Sequence, residues 1–360
     1  MAQARFVGDI WKELRRRGCD PAADREATKA TAEAAQAVQA AQPTIREVVA
    51  RFMAQHIDGK KSAAAVHYRL GRLAELIGDF RIRDATRQDV IAALEKISAG
   101  QKKGRTAKQL AGEILTTAKR LWRFAESREW VAESCIQRLT RADFDAKPRK
   151  REVALRLDEL VEIWRALGDP QRCRADPVTV AAMRLLILTG QRETEVTDAE
   201  WSEFDLAGGL WRVPAARTKS ARAHLVHLAP QAVAILEELR PLTGSEPHVF
   251  ASPLRKGRPV YGRSVNNALL TMFKGGRLPN VTRCHVHDFR RTLISRLPDI
   301  GVESFIGHKI ANHRLPGVLG IYNHAEYLPE RQAALNKWAE RIELSASDKN
   351  VIQGRFKQVS

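Results

Sequence analysis

The chain has 360 residues, 44% hydrophobic and 28% charged, enough for a sizeable core and two or three domains. Sixty Lys and Arg against 42 Asp and Glu leave a formal charge of +18, which favours a polyanionic partner, nucleic acid first. Cys19, Cys135, Cys173 and Cys284 lie far apart without CxxC pairing, so no zinc site or disulfide framework follows and a reducing compartment fits. The start, MAQARFVGDIWKELRRRG, lacks the apolar core of a signal peptide, and the longest apolar stretch, VTVAAMRLLILTG (178–190), contains Arg184 and is too short for a bilayer.

Residues 1–42 are Ala-rich with few large apolar residues after Leu14, and read as helical fragments or a flexible lead-in. Four apolar stripes at helical spacing follow in 43–140. Thr44 and Glu47 have capping-box spacing before Ile45, Val48, Val49 and Phe52. Val66, Leu70, Leu73 and Ile77 form the second stripe; Thr86 opens the third, with Val90, Leu94 and Ile97. Leu110, Ile114, Ala118, Leu121, Trp122 and Ala125 form the fourth. A four-helix domain results, with basic segments at the stripe ends: Lys60 and Lys61, then Lys102, Lys103 and Arg105, then KR (119–120). On one small domain they suggest phosphate contacts.

Residues 141–153, RADFDAKPRKREV, are polar and Pro-containing and read as a basic linker, with Lys147, Arg149, Lys150 and Arg151 as further DNA-contact candidates. A second domain spans 154–340, with 341–360 as a flexible tail. LDELVEIWRAL (157–167) predicts an amphipathic helix and 178–190 a buried one. LWRVPAA (210–216) and HLVHLAP (224–230) predict a hairpin around RTKSAR (217–222). The fold class is mainly α with a small antiparallel β-sheet.

The chemistry-bearing residues lie in this second domain. TGQRETEV (189–196) follows the buried helix; Gly190 can end it, and Arg192 and Glu195, three apart, share a face of the next helix. Lys219 sits at the hairpin turn, where a lysine can reach into a groove and protonate a leaving oxygen. In CHVHDFRRT (284–292) His287 and Arg290 are spaced to meet at one substrate atom, whereas His285 faces elsewhere. A metal at His285 and His287 lacks further ligands at sensible spacing, so neither metal nor cofactor is expected. IGHKIANHRLPGVLGIYNHAEYL (306–328) crowds His308, His313 and His324 with Tyr322 and Tyr327. Two arginines match phosphate oxygens, Lys and His move protons, and Tyr can be a covalent nucleophile. The set suits metal-independent phosphoryl transfer through a phosphotyrosine.

As an ordered set these motifs resemble the tyrosine recombinases, specifically the phage-type integrases that insert mobile elements into bacterial genomes, over about residues 43–340. The resemblance implies a two-domain C-shaped clamp, with 43–140 binding core DNA and 154–340 catalytic. It implies that Arg192 and Arg290 grip the scissile phosphate and that Lys219 protonates the leaving 5′ oxygen. His287 would help move the phenol proton, Glu195 would support the site, and Tyr322 would attack to leave a 3′-phosphotyrosyl bond. His313 lies 23 residues after Arg290 and 9 before Tyr322, which fits the family spacing; the corresponding 18 and 14 for His308 do not. His313 is therefore assigned as the phosphate donor and His308 as a surface residue; Tyr327 is the second, non-nucleophilic aromatic and His324 is structural or exposed. LRRRGCDPAAD (14–24) resembles the segment that closes the family's arm-binding domain, without the sheet that should precede it, which suggests a truncated or naturally shortened chain.

The implied partners are double-stranded DNA at core recombination sites and three further copies in a homotetramer on DNA, with room for a host DNA-bending protein and an excisionase. No membrane partner is implied, and the place is the bacterial cytoplasm, at the nucleoid when bound. The helix predicted over 328–344 is expected to dock on a neighbouring protomer. Two other readings stay open: a type IB topoisomerase-like enzyme that relaxes DNA as a monomer, and a catalytically inactive DNA-binding regulator.

Overall fold

The computed structural model describes residues 42–60, 62–100, 105–146, 153–313 and 325–347, together with 13, 16, 23 and 25–31. The chain divides into two units, residues 1–150 and 151–360, each built on its own apolar cluster. Of the lead-in, residues 25–31 are exposed helix.

In the first unit, α1 (Ile45–Phe52) opens with the capping box that Thr44 and Glu47 predict: the Thr44 hydroxyl accepts from Glu47 N–H, and the Glu47 carboxylate accepts from Thr44 N–H at 2.9 Å. A π-helical turn, Met53–Ile57, follows it. Helices α2 (Ala63–Ile77), α3 (Arg87–Gly100) and α4 (Arg105–Glu126) complete the bundle. Thr86 and Asp89 exchange the same reciprocal bonds before α3. The long α4 packs on the other three helices, and its Ile114, Ala118, Leu121, Trp122 and Ala125 are buried together with the three other stripes. Leu110 is only partly buried at the edge.

The linker expected at 141–153 begins later than its polarity suggests. Residues Arg141–Phe144 form a 3₁₀ turn whose Phe144 and Ala146 are buried in the first unit. A Cβ on Gly112 would come within 2.6 Å of Ala146, so this turn lies tight against α4.

In the second unit α5 (Leu157–Leu167) precedes α6 (Pro177–Thr189), the buried helix around which the unit is built. Asp176 caps α6, accepting from Thr179 N–H at 2.9 Å. Helix α7 (Glu193–Thr197) leads into a three-stranded antiparallel sheet of β1 (Phe204–Asp205), β2 (Leu210–Val213) and β3 (His224–His227). The predicted hairpin is β2–β3, paired Leu210 with His227 through Val213 with His224. The two-residue β1 has no alternation to betray it. Helices α8 (Pro230–Thr243), α9 (Gly262–Lys274), α10 (Val286–Arg296), α11 (Ser304–Ile310) and α12 (Leu328–Ser347) follow, and α6 packs against α8, α9, α10 and α12.

Two expectations about the C-terminal end are corrected. The tail does not begin at 341: α12 runs to Ser347, with Ile342 buried. Nor does the 328–344 helix look outward for a neighbour. Its Ala334, Leu335, Trp338, Ala339 and Ile342 enter the core of its own unit, and Trp338 Nε1–H donates to Ile187 O at 3.0 Å. Arg165 on α5 donates to the carbonyls of Ser345 and Ala346, at 2.7 and 2.9 Å. The apolar face buried in cis satisfies the helix without a partner.

Candidate active site

The site begins where α6 stops. Gly190 takes a left-handed φ of +62°, and a Cβ there would meet Leu293 Cδ1 at 3.1 Å, so both backbone and space favour glycine. The next residue, Gln191, is buried and donates to Thr189 O and Ile310 O, each at 3.0 Å. Arg192 then caps α7. Its N–H and its guanidinium both reach the Glu195 carboxylate, at 3.0 and 2.7 Å. Glu195 is 2% exposed, so this is a buried pair rather than a surface one. Arg217 donates to Glu195 O and to Glu203, and Trp211 Nε1–H also reaches Glu203, which ties the box to the sheet.

The second box is set by α10. Asp288 accepts from His285 N–H at 2.8 Å and fixes the helix start. His285 is partly buried just before the helix, and His287 is exposed on its first turn. Arg290 is 2% exposed and bonds no carboxylate among the described residues; it donates to Gly190 O at 2.9 Å and to Ala311 O. Burial, first, and the neighbouring Arg192 lower its pKa to about 10, against the opposing pull of Glu195. Asn266 couples the boxes: its amide N–H groups bond both Glu193 oxygens, at 2.7 and 2.8 Å, and its carbonyl accepts from Val286 N–H at 3.2 Å. Burial raises the Glu193 pKa, and the Asn266 bonds oppose that rise.

The third piece is the turn after α11. Ile310 O receives Gln191 and the His224 ring, the latter at 2.9 Å. Ala311 O receives Arg290, and Asn312, at φ +49°, donates to Ser220 Oγ at 3.2 Å. That last bond brings the Lys219 turn beside His313. Lys219 itself is exposed, while Thr218 is buried and closes the turn by donating to Arg222 O at 2.8 Å.

Arg192, Arg290, His287 and His313 thus fall in one electrostatic neighbourhood. Burial and then Arg290 lower the His313 pKa to about 4, with His308, Arg192 and His287 acting the same way. His287 is held below its ordinary value by desolvation and by Arg290 and Arg291. Both rings are therefore neutral near pH 7. Of these two guanidinium groups, Arg192 is paired with the Glu195 carboxylate, whereas Arg290 has no carboxylate within bonding distance among the described residues. A guanidinium held by neutral carbonyls keeps its positive charge available to an anion.

His308 is not the surface residue its spacing suggests. It is partly buried, and its Nδ1 lies 3.3 Å from His313 Nδ1. Tyr327 packs edge-on to Phe305, ring centres 5.0 Å apart, beneath Lys309, whose Nζ donates to Ala325 O. Tyr322 and His324 lie outside the described residues, as do Lys61, Lys102, Lys103, Lys147, Arg149, Lys150 and Arg151. Lys60 is exposed after the π turn, and Arg105 begins α4. Lys119 donates to Gln137 O, and Arg120 lies over the Phe52 ring, so that pair has contacts within its own unit. Among the described residues no group of three or more His, Cys, Asp or Glu could hold a metal, and no helix is long and apolar enough to cross a membrane.

Sequence reasoning missed Gln191, His224, Asn266 and Asn312, which hold the boxes together. Only His224 left a signal, since alternation places it inward beside Val226 on β3.

The phage integrase family model matches residues 154–328. Prophage integrase IntA of Escherichia coli strain K12 is 29% identical over 216 residues, 57% of this chain and 48% of that protein. Prophage integrase IntZ of the same strain is 28% identical over 274 residues, 74% of this chain and 62% of that protein. The match thus spans less than two thirds of either relative's own length. The chain also resembles lambda integrase, solved as a dimer bound to a COC' core site, with TM-score 0.59 and 17% identity over 76% of this chain and 96% of that one. Its tetramer bound to a Holliday junction gives TM-score 0.58 at 17% identity, over 79% and 78%. At that identity the likeness is one of fold. The family match and the boxes it contains make residues 154–328 a phage integrase domain, of the tyrosine recombinase kind.

Proposed function

We propose that the chain is a site-specific DNA recombinase that cleaves and rejoins strands through a 3′-phosphotyrosyl bond, to integrate or excise a mobile element. The observation that carries this reading is Arg290: a buried guanidinium held by two backbone carbonyls, beside Arg192, with no carboxylate of its own among the described residues. A buried charge without a counterion is costly unless a ligand of opposite sign arrives. The match of residues 154–328 to the phage integrase family supports a DNA phosphate as that ligand.

In the proposed step Tyr322 Oη attacks phosphorus and the bond to the 5′ oxygen breaks. Neutral His287 takes the phenol proton, and Lys219 gives one to the leaving oxygen. Arg192, Arg290 and a neutral His313 N–H bear the charge that builds on the non-bridging oxygens. Glu195 orients Arg192. Rejoining is the reverse, with a 5′ hydroxyl of another strand, so bond energy is conserved without a cofactor. The first helical unit holds the core site, and phosphate contacts from its basic residues make binding steeply salt-dependent. Lambda integrase has been solved as a tetramer bound to a Holliday junction; we propose the same assembly here.

The test is covalent trapping on nicked DNA carrying the element's junction sites, in EDTA, with Tyr322→Phe and Tyr327→Phe beside wild type. An SDS-resistant adduct lost only in Tyr322→Phe is the expected result. Loss only in Tyr327→Phe would move the nucleophile and overturn the His313 assignment. Relaxation of supercoils without site preference would point to a topoisomerase-like enzyme. Specific binding without an adduct would point to a catalytically inactive regulator.

A further inference from the structure

His308 and His313 are joined twice across the turn that follows α11. His313 N–H donates to His308 O at 2.9 Å, and the two Nδ1 atoms lie 3.3 Å apart. Their rings are 5.6 Å between centres and inclined by 41°. The turn itself has little freedom. Asn312 supplies the left-handed residue and bonds Ser220, while the carbonyls of Ile310 and Ala311 are held by Gln191, His224 and Arg290. Both rings are partly buried.

A hydrogen bond between two imidazole nitrogens needs one donor and one acceptor, so a single proton lies between the Nδ1 atoms. Two arrangements exist. If His313 gives that proton, its neutral ring has only a lone pair at Nε2, which repels a phosphate oxygen. If His308 gives it, His313 must carry its own proton at Nε2, the nitrogen left free for a ligand. Protonating both nitrogens of His313 is opposed by Arg290 and Arg192 beside it. Which tautomer exists is therefore decided by the partner at Nδ1.

We propose that His308 is a positioning residue: its Nδ1–H donates to His313 Nδ1 and holds His313 in the tautomer that presents Nε2–H to the scissile phosphate. This rests on the reading of Arg192, Arg290 and His313 as the phosphate site. His308 touches no reacting atom; it acts through the ring of His313.

The test uses the full chain labelled with ¹⁵N-histidine, near pH 7, as wild type, His308→Ala and His308→Asn. The His313 signals are identified by their loss in His313→Asn. In wild type His313 is expected to carry its proton on Nε2 and to accept at Nδ1. His308→Ala should mix the tautomers, and His308→Asn, whose amide can donate from nearly the same place, should restore the single one. A wild-type proton on Nδ1, or a spectrum that does not change in His308→Ala, overturns the proposal. The kinetic arm follows single-turnover adduct formation. His308→Ala should slow it about tenfold with unchanged DNA affinity, and His308→Asn should recover most of the rate. Equal slowing in both variants, or weakened DNA binding, overturns it. An absent wild-type adduct sinks the recombinase reading but leaves the ring spectra to decide the tautomer on their own.

Discussion

The first unit and the site in the second are held by different kinds of bond. In the helical unit, Ile45, Leu70, Leu94, Ile114 and Trp122 meet as apolar side chains, and each element contributes a stripe to a shared core. In the site, the partners are mostly backbone oxygens: Gly190 O and Ala311 O for Arg290, Ile310 O for Gln191 and His224, Glu195 O for Arg217. A core of stripes tolerates the exchange of one apolar residue for another of like volume. A set of carbonyl anchors does not, because each polar side chain serves one place. Stability should therefore be lost piecemeal in the first unit, whereas activity in the second should collapse at single residues.

The largest effect that sharpens this contrast is expected at Arg290. Arg290→Ala should cut the rate of adduct formation by on the order of 10³-fold, about 4 kcal/mol in the barrier, measured by single-turnover trapping. Its unfolding midpoint should move far less than its activity. Leu94→Ala should do the converse, costing about 3 kcal/mol in denaturant unfolding while the folded fraction cleaves normally. If Leu94→Ala abolishes chemistry in folded protein, the separation of roles is wrong.

Acid titration comes next. Burial, then Arg331, lower the pKa of His224 from 6.5 to about 4, and His313 shifts likewise. These folded values lie below the unfolded ones, so the contribution to stability is whole above about pH 6.5 and is lost as pH falls through 4. Urea midpoints across that window should drop, and His224→Gln should flatten the slope. Glu195→Gln keeps the shape but removes the charge on Arg192's partner; adduct formation should fall by roughly tenfold, about 1.4 kcal/mol. The smallest effect is expected for Tyr327→Phe. The edge-on contact with Phe305 survives loss of the hydroxyl, so stability and cleavage should both stay within about 0.5 kcal/mol of wild type.

The same contrast explains what could be read in advance. The four helices of the first unit follow from side-chain periodicity and from two capping boxes, signals that are local and chemically distinct. Gly190, Arg192, Glu195, His287 and Arg290 stand out because their types and spacings are unusual. What escaped is of another kind. The 141–146 turn is polar in sequence yet packs through Phe144 and Ala146, two residues too few to make a pattern. Strand β1 is two residues long. The destination of α12 depends on a groove between α5 and α6 that no spacing within 328–347 encodes. The anchors of the site escaped for the plainest reason: every residue has a carbonyl, so an acceptor at Ile310 or Ala311 carries no mark in the letters. His308 was misread because distance along the chain from Arg290 says nothing about which way a turn folds back.

Gly190 joins these threads. Its carbonyl holds Arg290, its φ is +62°, and the space where a methyl would go belongs to Leu293 one turn beyond that arginine. The position behaves as a lock shared by two distant stretches of chain. An alanine at 190 would meet resistance from backbone and neighbour together, and trimming Leu293 could relieve only the second. A change in the first box is thus felt in the second, 103 residues further along the chain. Any redesign of the proposed function should leave this pair untouched and work on surfaces that carry no part of that shared constraint.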